Sequence, residues 1–257
     1  MNFIFDLDGT ICFKGKPISP AITHALQHLE EAGHRIVFAS ARPIRDMLPV
    51  VPKPFHNGTL IGGNGALISE NGNITFSRAF SPAIVETLMS TLHEHQSTYL
   101  IDGEWDYSYT GRANHPILTN LDPHRLATNV PISKHPSIVK LLILSAVEKE
   151  ILLEKLGEVD IVLHLHAHED VIDCSPKGIH KQAALAYLNI TDYIAFGNDA
   201  NDITMFQGAK HSVMIGDHQA LRPHCTESIP YTTEIEEDII AKLMELSDAF
   251  ASERVTS

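Results

Sequence analysis

Two short apolar runs, Asn2 to Phe5 and Arg35 to Ala39, flank a single helical stripe, and that arrangement leaves few folds open. A run of this length with almost no polar residue reads as a strand buried on both faces. Between the runs, Ser19 can cap a helix with Pro20 in its first turn. Ile22, Ala25, Leu26, Leu29 and Ala32 then fall on one face, and Gly33 ends the helix. A strand–helix–strand unit implies parallel strands joined by a right-handed crossover. Thr59 to Ile61 predicts a third strand, and Ala66 to Ser69 with Asn73 to Phe76 a hairpin about Asn71-Gly72.

The same alternation returns near the end of the chain. Val171 to Cys174 reads as a strand, Gly178 to Leu188 as a helix and Tyr193 to Phe196 as a buried strand. Asp202 to Phe206, His211 to Ile215 and the stripe Ile235, Ile239, Leu243 and Leu246 continue it. The middle differs. A helix bearing Ile84, Val85, Leu88, Met89 and Leu92 leads into strands near Tyr99 to Asp102 and Trp105 to Ser108. A polar, proline-bearing stretch from Gly111 to Pro136 follows, then strand Ile138 to Leu144, helix Glu148 to Leu156 and strand Asp160 to His164. The expected architecture is a doubly wound α/β core with a mostly parallel, Rossmann-like sheet, carrying an inserted α+β domain. Residues 1–79 and 168–257 form the core and 80–167 the insert.

Composition narrows the function. A chain of 257 residues with 44% apolar and 20% charged residues is that of an ordinary globular protein. A net charge of −13 argues against broad contact with nucleic acid or an acidic membrane surface. No apolar stretch approaches the ~20 residues of a membrane helix, and the start lacks the basic residues of a signal peptide. Cys12, Cys174 and Cys225 show no metal-ligand spacing and fit a reducing compartment, so a cytoplasmic protein is expected. The sequence leaves the oligomeric state open.

Four polar clusters stand where open α/β sheets place their sites, at the carboxyl ends of strands. In F-I-F-D-L-D-G-T, alternation points Asp6 and Asp8 the same way, and Gly9-Thr10 turns the chain off the sheet. Two close carboxylates favour a shared hard cation such as magnesium. One can act as nucleophile and metal ligand, the other as general acid and then base. Ser40 ends the second strand with a hydroxyl free to donate to a phosphoryl oxygen. S-P-K-G-I-H-K offers Lys177 and Lys181 near a helix start, where one buried lysine could clamp a phosphate. G-N-D-A-N-D then crowds oxygen-bearing side chains onto one turn after a buried strand.

In that order, D-L-D-G-T, the strand-end serine, the helix-start lysine and G-N-D-A-N-D resemble the haloacid dehalogenase superfamily of phosphatases. The large insert and N-G-A at Asn64, Gly65 and Ala66 resemble its Cof-type members, which carry a class II cap. The resemblance implies a magnesium-dependent hydrolase of a small phosphorylated metabolite, such as a sugar phosphate or nucleotide, acting through an aspartyl-phosphate. It makes Asp6 the nucleophile and Asp8 the acid/base, with a backbone carbonyl also on the metal. Ser40, Arg42, Asn64, Lys181 and Asn201 would bind the phosphate. The alanine-rich helix that follows selects Lys181 over Lys177. Asp199 and Asp202 would stand behind the metal ligands.

One position departs. The family usually writes G-D-x-x-N-D, so Asn198 stands where the third metal-binding aspartate belongs, and one negative charge leaves the site. A phosphomutase and a phosphate-binding regulatory protein that no longer turns over are the alternative readings. Two further features lie in the insert. His164, His166 and His168 alternate on a strand near its return to the core, as a hinge or a transition-metal site would allow. Trp105, Tyr107 and Tyr109 also alternate, to pack the cap or to line its pocket.

Overall fold

The computed structural model describes residues 1–166 and 171–251. The elements in chain order are β1 (Asn2–Phe5), α1 (Pro20–Glu31), β2 (Arg35–Ala39), α2 (Ile44–Met47), β3 (Thr59–Gly62), β4 (Leu67–Glu70) and β5 (Asn73–Ser77). Then come α3 (Pro82–Glu94), β6 (Thr98–Asp102), β7 (Tyr107–Tyr109), β8 (Lys140–Ser145), α4 (Lys149–Gly157), β9 (Ile161–His166) and β10 (Val171–Pro176). The chain closes with α5 (Lys181–Tyr187), β11 (Tyr193–Gly197), α6 (Ile203–Gly208), β12 (His211–Ile215), β13 (Glu227–Ile229) and α7 (Ile235–Ala251). No helix among the described residues is long and apolar enough to cross a membrane.

Among the described residues these strands form two sheets. The larger runs β13-β12-β11-β1-β2-β3-β4-β5, parallel from β13 to β3 and antiparallel through the β4–β5 hairpin. Its strand order reverses direction around β1, which places the ends of β1 and its neighbours at a crevice. Period-two alternation divides its side chains between two cores. Phe3, Phe5, Phe38 and Phe196 meet Ile22 and Leu26 of α1 and Ile239 and Leu243 of α7. Ile4, Val37, Ala39 and Ala195 meet Leu185 of α5 and Met205 and Phe206 of α6. Ser19 caps α1, its hydroxyl accepting from the Ile22 amide at 3.3 Å, a contact worth about 1 kcal/mol.

The smaller sheet is antiparallel, in the order β7-β6-β8-β10-β9. One face is covered by α3 and α4, through Leu88, Leu92, Leu152 and Leu156 packed on Ile101, Leu141, Ile143 and Ile172. This sheet corrects one sequence expectation. The strand at Val171–Pro176 was expected in the core, yet it pairs with β8 and β9. The chain therefore rejoins the larger sheet only after Pro176, not at residue 168. An apolar run of this kind suits either sheet, and only its partners distinguish them. The helix expected from Gly178 also begins later, at Lys181, because the His180 side chain caps it by accepting from the Ala183 amide at 3.1 Å. Tyr107 and Tyr109 lie on β7 and pack on the cap's own apolar cluster, while Trp105 donates to the Leu126 carbonyl at 2.7 Å. His164 and His166 lie on β9, in register with Asp173 and Val171, and His168 lies outside the described residues.

Candidate active site

Asp6 continues β1 by one ladder bond, its amide donating to the Phe196 carbonyl at 2.9 Å. As an even-numbered position it shares the side of Ile4, the side against which α5 packs. There it meets Lys181, the first residue of α5, which is wholly buried. The Lys181 ammonium donates to Asp6 Oδ1 at 2.5 Å and to Asp202 Oδ1 at 2.7 Å. Burial pushes the Asp6 carboxyl up to about 7, against the opposing pull of Lys181. Burial alone would lower the Lys181 ammonium, but Asp202 and Asp6 more than reverse it, so the lysine stays charged above its ordinary value. A lysine between two carboxylates satisfies charges that would be costly alone in such a place. Lys177 is 71% exposed and pairs with Asp160 on the surface at 2.7 Å.

The turn after β11 supplies the rest of the floor. The second Asp202 oxygen accepts from the amides of Asn198 at 2.9 Å and Asp199 at 3.2 Å, fixing the G-N-D-A-N-D loop. Gly197 permits this packing, since a Cβ there would lie 2.6 Å from the Asp202 carboxylate. Asp199 caps the short turn Ala200–Asp202, is half-exposed, and pairs with His218 at 3.2 Å. Asn201 donates to Asn64 Oδ1 at 3.2 Å. Asn64 holds a left-handed conformation, φ 58°, which asparagine tolerates better than most residues, and its amide donates to the Ser40 carbonyl at 2.9 Å.

Asp8 stands nearer solvent. It is gripped by Arg42, whose Nε and Nη2 donate to its two oxygens at 2.7 and 2.6 Å. Ser40 Oγ accepts from the Arg42 amide at 3.1 Å. Thus the residues that the resemblance assigns to the phosphate and metal site, Asp6, Asp8, Ser40, Arg42, Asn64, Lys181, Asn198, Asn201, Asp199 and Asp202, gather in one neighbourhood. Most of them line a cavity of about 340 Å³ between the two sheets.

The oxygen pattern fits a hard cation. Thr10 Oγ1 lies 3.0 Å from Asp6 Oδ2 and 3.1 Å from Asn198 Oδ1. A hydroxyl has one proton and can donate to only one of them. The Asn198 amide nitrogen faces Gly9, where φ is +81° and a Cβ would sit 2.2 Å from it. Its oxygen is thereby turned towards Asp6. A carboxylate oxygen and an amide oxygen gathered about a single proton are donors of the kind that suit magnesium. Among the described residues no group of three or more His, Cys, Asp or Glu is arranged to hold a metal.

The cavity's upper wall has little signal in the sequence. Lys140 of β8 is buried, paired with Asp173 at 2.9 Å, and donates to the Ala41 carbonyl at 2.8 Å. Arg45 of α2 is buried between Asp46 and Asp102, both at 2.8 Å, and donates to the Trp105 carbonyl at 2.6 Å. The Asp122 amide donates to Asp46 Oδ1 at 2.9 Å. These contacts join the segment after Ser40 to the smaller sheet. A buried cation on a strand or short helix was the only sequence signal, and it has no distinguishing spacing.

The profile of the haloacid dehalogenase-like hydrolases matches residues 3–244. An HMP-PP phosphatase of Yersinia pseudotuberculosis is 26% identical over 234 residues, covering 83% of this chain and 82% of the relative. Among solved structures, a subclass IIB sugar phosphatase of the superfamily superposes with a TM-score of 0.75 at 18% identity, covering 95% of this chain and 98% of that one. A protein of Thermotoga maritima gives a TM-score of 0.78 at 21% identity, with 95% and 96% covered. The chain belongs to the haloacid dehalogenase-like hydrolase family. Its two sheets, the smaller inserted as a cap, are the fold these structures share.

Proposed function

We propose that the protein is a magnesium-dependent phosphatase of small phosphorylated metabolites that passes the phosphoryl group through Asp6. The class is that of a Cof-type phosphatase, hydrolysing phosphate esters, in keeping with relatives named for HMP-PP and for sugar phosphates. The observation that carries the reading is the position of Asp6: a buried carboxylate on the cavity floor, with Lys181 on one oxygen and, on the other, the Thr10 hydroxyl that also lies 3.1 Å from Asn198 Oδ1.

Asp6 Oδ2 attacks phosphorus as the bond to the leaving oxygen breaks. Asp8, two residues on, supplies the proton that the leaving oxygen takes. Asp8 then receives a proton from water; that water attacks phosphorus, the bond to Asp6 breaks, and inorganic phosphate and free Asp6 result. Magnesium would be held by Asp6, the Asp8 carbonyl and the Asn198 amide oxygen, and it supplies positive charge against the phosphoryl oxygens. Lys181 keeps Asp6 oriented, and Ser40 and Asn201 offer donors to the phosphoryl group. Arg42, which pairs with Asp8 here, is within reach of an arriving phosphate; moving onto it would free Asp8 to carry a proton. The closed cap excludes bulk water during the first transfer. The test is phosphate release from a panel of small monoesters with and without magnesium. Release that ignores both magnesium and Asp6→Asn would overturn the reading.

A further inference from the structure

Tyr231, in the loop between β13 and α7, is half-exposed, yet its hydroxyl is committed to the loop that carries Asp6 and Asp8. The turn after Asp8 closes on its own backbone. The Leu7 carbonyl accepts from the Thr10, Ile11 and Cys12 amides at 3.1, 3.1 and 2.8 Å, and the Cys12 carbonyl from the Gly9 amide at 2.8 Å. The Gly9 carbonyl takes no part in those bonds and accepts from the Tyr231 hydroxyl. Two glycines of positive φ admit the side chain. A Cβ at Gly9 would lie 3.2 Å from the hydroxyl, and one at Gly216 2.5 Å from the ring. Phe13 meets that ring edge-on, with centroids 6.3 Å apart.

The same hydroxyl meets Asn198. The Cβ position above Gly9 is 2.2 Å from Asn198 Nδ2 and 3.2 Å from the Tyr231 hydroxyl, so the amide nitrogen and the phenol close over one glycine. Burial raises the Tyr231 phenol above its ordinary value, and a hydrogen bond from the Asn198 side chain pulls the other way. A phenol has one proton to give. With that proton on the Gly9 carbonyl, only lone pairs remain for Asn198, and they suit the nitrogen end of an amide. Turned over, the amide would set its oxygen against those lone pairs. Its two N–H groups would then face the space beside Asp6 Oδ2 and Thr10, where a cation needs an oxygen.

We propose that Tyr231 is a positioning residue for the metal site: its hydroxyl, donating to the Gly9 carbonyl and accepting from Asn198 Nδ2, holds the Asn198 amide with Oδ1 on the side of Asp6. The inference rests on the magnesium reading above and ties Tyr231 to an amide at position 198. A carboxylate there has no proton to give the phenol and no nitrogen end to keep away from a cation, so it has no use for the tyrosine. A double-mutant cycle tests this on the metal-free full chain. Magnesium affinity is read from the rise in thermal midpoint across a magnesium titration, without substrate. Tyr231→Phe should weaken magnesium binding about 5-fold, the effect of one hydrogen bond. In the Asn198→Asp background the same change should alter it by less than about 2-fold. An equal loss in both backgrounds would mean that Tyr231 only braces the Gly9 turn, and it overturns the inference. So does an affinity that Tyr231→Phe leaves unchanged in the parent; either result leaves magnesium binding itself standing. A parent whose midpoint ignores magnesium removes both readings.

Discussion

Two buried cations in this molecule each sit between two carboxylates, and they are built differently. Lys181 lies between Asp6 and Asp202, all three carried by strand ends of the larger sheet and the helix packed on it. Arg45 lies between Asp46, its own neighbour, and Asp102, which belongs to the cap sheet. The first trio is complete within the core. The second spans the seam between the core and the cap sheet. Lysine suits the first as a compact charge that can point at one oxygen of each partner. Arginine suits the second, because its fork can keep Asp46 while reaching across the seam to Asp102 and the Trp105 carbonyl. The floor of the site and the seam to the cap thus draw on the same ionic motif at two places.

The comparison is broken most severely at Asp6. Asp6→Asn should cut turnover by ~10⁴-fold or more, since a carboxamide is no substitute nucleophile. Far-ultraviolet circular dichroism should be unchanged. Activity near the parent's would place the nucleophile elsewhere. Next comes the cation itself. Lys181→Ala leaves two buried carboxylates facing each other, so it should cost about 3–5 kcal/mol of stability and most of the activity. Lys177→Ala, on the exposed Lys177–Asp160 pair, should change stability by no more than about 1 kcal/mol. Denaturant unfolding of both variants decides whether the two lysines differ in this way.

A smaller effect is expected at the seam. Asp102→Asn keeps a hydrogen-bond acceptor and leaves Arg45 paired with Asp46, so stability should fall by about 1–3 kcal/mol. The variant's cap should be more readily cleaved by protease than the parent's at equal temperature. Cleavage unaltered by Asp102→Asn would mean that the seam trio does not hold the cap. The mildest change is Asn198→Asp. An added carboxylate binds a hard cation more strongly than an amide, so the magnesium concentration for half-maximal rate should fall severalfold. An unchanged or higher requirement in a magnesium titration would remove Asn198 from the ligand set.

The core and its strand-end residues were legible in the sequence because one physical rule places them all. Runs such as Phe3-Ile4-Phe5 and Tyr193-Ile194-Ala195-Phe196 announce buried parallel strands, and the polar residues that follow each run gather at one edge of the sheet. The cap was legible as an insert, but its return was not. Val171–Pro176 has the apolar character of a core strand, and its place depends on pairing with Leu141–Ile143, about thirty residues earlier. The seam was hidden for a similar reason. Arg45 and Asp102 are 57 residues apart, and nothing near either one announces the other.

The central claim is that Asp6 carries the phosphoryl group, and trapping that intermediate tests it most directly. Asp8→Asn should slow hydrolysis of the aspartyl ester by removing the base that activates water. The variant is mixed with magnesium and a turned-over monoester, quenched in acid, digested and analysed by mass spectrometry. The account predicts one added phosphoryl group on the amino-terminal peptide, located at Asp6, labile to hydroxylamine and absent from a variant that also carries Asp6→Asn. Phosphate release without any labelled peptide, or a label on another residue, would contradict it.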